Sequence, residues 1–102
     1  MNAKPLSRDQ AKSELNRCLI EGVVVYSKHF REELSNDDLT TEDVLSVCRA
    51  GAIIDAPERD IKSGQWKYRI EGITQESGKI AVVFTFRPNQ QSSLHSAQIR
   101  RF

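Results

Sequence analysis

Two cysteines are all this sequence offers in 102 residues. Cys18 and Cys48 fall on apolar positions of helical patterns, with no further Cys or His close by. A zinc site needs about four ligands, so two isolated thiols cannot build one. Buried thiols of a reducing compartment fit the pattern, rather than a disulfide. Long apolar runs are also missing, and nothing approaches the ~20 residues that span a bilayer. The opening MNAKPLSRDQAKSELNR has no apolar core of the kind a signal peptide carries. The expectation is a cytoplasmic protein without membrane association. Proline occurs three times and glycine five, with no repeat and no low-complexity tract. No metal or cofactor is expected.

What remains is an ordinary small domain. Hydrophobic residues make up 38% and charged residues 28%, enough for one modest core and one domain spanning residues 1–102. The net charge of +1 argues against a strong non-specific nucleic-acid binder. Its distribution is uneven, however. Residues 28–60 carry nine acids against four bases, and no acid follows Glu76. The two halves therefore present different surfaces.

The first half has helical period. Ser7 precedes a stretch in which Ala11, Leu15, Cys18 and Leu19 share one face, ending at Gly22. VVVY (23–26) reads as a short strand. Ser27 can cap a second helix, KHFREELSN, and Thr40 a third, TEDVLSVCRA, with acids in its first turn. Leu39 and Val44 stand where a hydrophobic staple would pack. Gly51 follows the third helix, and a left-handed conformation is expected there. The second half has strand period. AIID (52–55) is a short apolar run and APERDIKSG a turn-rich connection. QWKYRIEGIT (65–74), KIAVVFTFR (79–87) and LHSAQIRRF (94–102) follow, with PNQQSS as a loop. Short turns between them imply an antiparallel meander. The fold class is therefore α+β: a small antiparallel sheet with N-terminal helices packed on one face. Trp66, Tyr68 and Ile70 should face the helices with Ile80, Val82, Phe84 and Phe86. Lys67, Arg69 and Glu71 then point to the open face.

Four segments taken together, YSKHF (26–30), LTTEDVLSVCRAGAIID (39–55), WKYRIEG (66–72) and KIAVVFTF (79–86), resemble the family known as domain of unknown function 4258. The similarity covers roughly residues 23–102, with residues 1–22 as a helical extension. The chain departs from the family pattern at Phe30, where alanine is usual. It departs again at Asn36, Asp37 and Asp38, where an arginine is common. The resemblance implies a relative of the RelE/ParE-type toxin fold. It further implies the toxin of a bacterial toxin–antitoxin pair, with a cognate antitoxin as partner. The implied activity is metal-independent endoribonuclease action on RNA, free or on the ribosome. The alternative is a non-catalytic protein-binding module of the same fold.

RNA cleavage without a metal needs a base, an acid and cations for the phosphate. His29, at the start of a helix, is the candidate acid/base; it could equally pack on the sheet or serve the helix cap. Lys67 and Arg69 leave one strand face about 7 Å apart, a spacing suited to phosphate oxygens. They could equally be solvated surface with Glu71 as a local partner. Arg87, at the end of the next strand, is expected to complete their patch. Tyr68, His95, Arg100 and Arg101 are the candidate substrate-binding residues. Of these, Tyr68 faces the core by alternation and His95 borders a polar loop.

Overall fold

Helix caps decide where the first half folds. The computed structural model describes residues 4–87 and 93–101, apart from the Ala97 side chain. The loop expected at 88–93 thus lies largely outside the described residues. Helix α1 (Arg8–Glu21) begins at a capping box of Ser7 and Gln10, and Gly22 ends it at φ 72°. Strand β1 (Val24–Val25) follows. Ser27 caps α2 (Lys28–Asn36) by accepting from the Phe30 N–H. Thr40 and Asp43 form the capping box of α3 (Thr41–Ala50). Leu39 and Val44, the staple pair, are both buried.

The strands are β2 (Ala52–Ile53), β3 (Glu58–Arg59), β4 (Trp66–Thr74), β5 (Gly78–Arg87) and β6 (Ser93–Arg101). Their order in the sheet is β1-β6-β5-β4-β2, and β3 pairs with β4 beside β2. The β4-β5-β6 meander is antiparallel as expected. The sheet as a whole is mixed, because β1 lies parallel to β6 with Val24 opposite Leu94. That pairing joins segments about seventy residues apart, so no turn signal announces it. A second correction concerns the turn-rich connection: Glu58 and Arg59 pair with Lys67 and Trp66 and extend the β4 edge.

All three helices pack on one face. The core unites Leu15, Cys18, Phe30, Leu34, Val47 and Cys48 with Tyr68, Ile70, Ile80, Val82, Phe84 and Ile99. Alternation in β4 and β5 therefore orients the strands as the sequence indicates. Phe30 is fully buried and stacks on Tyr26 at 5.8 Å, so its departure from alanine fills the space between α2 and the sheet. Among the described residues, no helix is long and apolar enough to cross a membrane.

Gly51 is not left-handed. It has φ −76° and ψ 179°, an extended conformation open to any residue. Glycine is required there for room. A Cβ at Gly51 would lie 2.5 Å from the backbone oxygens of both Val47 and Glu71. The end of α3 thus rests directly on β4.

The same junction holds a buried thiol. Cys18 and Cys48 are both buried and form no disulfide. The Lys12 ammonium of α1 donates to the carbonyls of Cys48 (2.5 Å) and Arg49 (2.9 Å), where cations favour a helix C-terminus. Burial pushes the Cys48 thiol up to about 12, against the opposing charges of Lys12 and Arg49. An unfolded thiol ionises near ~8.5. The buried neutral thiol therefore contributes its full stability below that value, and the contribution is lost as pH rises towards about 12. Burial lowers the Lys12 pKa, which opposes this trend just below the usual lysine range. We expect unfolding free energy to fall by roughly 1.4 kcal/mol per pH unit within the thiol window. Denaturant titrations at several alkaline pH values test this. Cys48→Ala should flatten the slope, and an equally steep slope in that variant would contradict the assignment.

Candidate nucleic-acid interface

Alternation gives the sheet a second, helix-free face. On it Arg69 of β4 lies opposite Val83 of β5, which lies opposite Gln98 of β6. Glu71, Ala81 and Arg100 form the next row. Strands are spaced about 4.8 Å apart, so β4 and β6 side chains flank a trough roughly 10 Å wide at the backbone. Ala81 and Val83 give it a small apolar floor. The edge folds over it on one side. Between β2 and β3 the chain runs through Asp55, Ala56 and Pro57, and Pro57 has no N–H to extend the ladder. Asp55, Ala56 and Glu58 become that wall. The resulting groove has a volume of about 420 Å³, within the usual range of ligand sites. Its bases are Lys67, Arg69, Arg100 and Arg101, and its acids Asp55 and Glu58.

Lys67 and Arg69 already have partners on the rim. Lys67 Nζ lies 3.9 Å from Asp60 Oδ2. Glu71 sits between Arg69 (3.3 Å) and Lys79 (3.4 Å). Asp60 is held below the usual carboxylate range, first by the Lys62 N–H it accepts, and also by Ser63 and the charge of Lys67. Lys67 and Arg69 are each partly exposed, so water screens these pairs. Glu71 is thus the local partner of Arg69, as one of the two expected readings has it, and the groove lies open beside them.

The remaining candidates are scattered. Arg101 borders the groove, but its guanidinium donates to the carbonyls of Ser77 (3.0 Å) and Asp37 (3.3 Å), tying β6 to the helix layer. Tyr68 borders the groove but is buried; its hydroxyl accepts from the Leu6 N–H at 2.9 Å, and its ring stacks on Phe84. His29 projects from α2 into solvent, 3.4 Å from Glu33. It lies on the helix layer, and the groove is on the other face of the sheet. Arg87 does not line the groove. It lies instead close enough to His95 to help lower the pKa of that imidazole, burial being the larger cause. The expected patch of Lys67, Arg69 and Arg87 is thus a groove of Lys67, Arg69 and Arg100, with Arg87 and His95 farther along the same face. Asp37 and Asp38 do not line the groove.

Sequence reasoning missed Asp55, Glu58 and Gln98. Gln98 shares the β6 face with Arg100 by simple alternation and could have been found. The two acids depend on the β3 pairing. Among the described residues no group of three or more His, Cys, Asp or Glu side chains is placed to hold a metal ion.

Residues 26–94 match the family described as Domain of unknown function (DUF4258). The chain belongs to this family. No curated protein and no solved structure matches it. The DUF4258 segment begins after β1 and ends just inside β6. It contains Lys67, Arg69, Asp55 and Glu58, whereas Gln98, Arg100 and all of α1 lie beyond it.

Proposed function

We propose that this DUF4258 protein is a toxin-class member of the RelE/ParE-like superfamily that engages RNA along the open sheet face and cleaves it without a metal. The observation that carries the reading is the groove itself. Lys67, Arg69 and Arg100 reach into it from two strands, over a floor of small side chains. Phosphate contacts of this kind position a nucleic-acid strand without reading its sequence. A cognate antitoxin is the proposed partner, bound where it blocks the groove or at another surface. The protein acts in the bacterial cytoplasm on this reading.

One observation favours the alternative, a non-catalytic module with an acidic partner segment in the groove: no imidazole lines it. Induced expression in bacteria separates the two. A nuclease arrests growth with RNA decay, and its activity in vitro survives a chelator. Growth arrest with intact RNA would favour a binding module that blocks a protein target, and normal growth would contradict the toxin reading and leave only a non-toxic binding module.

A further inference from the structure

His95 stands outside the groove but on the same face. It pairs across the sheet with Thr85 of β5 and, on its other side, with Val25 of β1. Its Nε2 lies 2.7 Å from the Ser93 hydroxyl, which is buried. Arg87, paired with Ser93, supplies the neighbouring charge. Val25 is exposed and leaves an apolar surface beside the ring. A half-buried imidazole held at one nitrogen, next to an arginine and open on one side, is the arrangement of a general base. The β4–β5 ladder ends at the Tyr68–Phe84 pair, and Lys67 and Thr85 each lie one residue beyond it, on the face that His95 shares. Two strand spacings, about 10 Å, separate the backbones of His95 and Lys67.

We infer that His95 is the general base for RNA cleavage on this face, with Ser93 positioning its ring and Arg87 holding the phosphate. The inference rests on the RNA reading above. In the tautomer this step uses, Ser93 Oγ accepts from Nε2–H, which leaves the Nδ1 lone pair free. Nδ1 takes the proton of a ribose 2′-hydroxyl, the 2′-oxygen bonds to phosphorus, and the bond from phosphorus to the 5′-oxygen breaks. Water protonates the departing 5′-oxygen, and the hydroxide so formed takes the proton back from His95. The products are a 2′,3′-cyclic phosphate and a free 5′-hydroxyl. DNA, lacking the 2′-hydroxyl, should bind and stay intact.

The test is cleavage and binding of one short single-stranded RNA, measured separately. His95→Gln should lose about 10²- to 10⁴-fold in cleavage while keeping its RNA affinity. Ser93→Ala should lower kcat more than it raises KM, and Ser93→Thr should restore part of the loss. The wild-type rate should rise with pH to a midpoint below the usual histidine value, because burial and Arg87 both disfavour the imidazolium. Arg87→Ala, although slower, should move that midpoint upward. Cleavage by His95→Gln at the wild-type rate overturns the inference and leaves the RNA reading intact. A wild type that binds RNA but never cuts it overturns the inference together with the cleavage part of that reading, and leaves RNA binding on this face intact. A wild type that binds no RNA overturns both.

Discussion

A Gly51→Val variant should melt roughly 10 °C or more below the wild type, or fail to fold. Overpacking a tight core costs about 1–3 kcal/mol, and more where backbone must move. Each kcal/mol shifts a domain of this size by roughly 4–8 °C. Here the obstructing atoms are the carbonyl oxygens of Val47 and Glu71, one in α3 and one in β4. Neither can rotate away as a side chain would. Gly72 adds to the crowding, since a Cβ there would meet the Gly51 Cα at 3.3 Å. The cause can be separated from the left-handed alternative. Asparagine tolerates left-handed backbone, so Gly22→Asn, at φ 72° with open space around it, should be mild. Gly51→Asn should be as damaging as Gly51→Ala or worse. Thermal melts of the variants decide it, and a well-tolerated Gly51→Asn would contradict the close-approach account.

The second large effect concerns the groove. A Lys67→Ala/Arg69→Ala protein should bind single-stranded RNA about 10²-fold more weakly than the wild type. Each lost charge-assisted bond is worth roughly 1.5–3 kcal/mol, and every 1.4 kcal/mol is a factor of ten. The salt dependence should weaken with it, by about 0.7 in the log–log slope per phosphate contact removed. Arg69→Ala should hurt more than Lys67→Ala, because guanidinium binds phosphate oxygens in pairs. The fold should survive: both side chains are partly exposed and their rim partners contribute little. Circular dichroism checks that point. Unchanged affinity and unchanged slope in a folded double variant would mean that this face is solvated surface.

Local signals made much of the fold legible in the sequence. Ser7, Ser27 and Thr40 each cap the helix they precede, because a capping side chain acts within three residues of itself. The alternation through Trp66–Ile70 and Ile80–Phe86 placed the core face, because a strand's period is fixed by its backbone. What stayed hidden is non-local. The β1–β6 pairing, the β3 edge and the reason for Gly51 all depend on which segment lies alongside which. The candidate site divides the same way. Lys67 and Arg69 share a face by period alone, whereas Arg100 joins them only through the β5–β6 register. His29 is separated from them by the sheet itself, a layer no spacing rule reveals. His95, beside its polar loop, gained meaning only once Ser93 and Arg87 were seen next to it.

The most direct test of the RNA-binding face is a titration of isotope-labelled protein with a short single-stranded RNA, followed by NMR. The backbone signals of Lys67, Arg69, Val83, Gln98 and Arg100 should shift together and saturate at one affinity, with His95 and Arg87 moving at the same end of the face. Signals from α2, including His29, should stay in place. Shifts confined to the helix layer, or no saturable shift on the open face, would contradict the account.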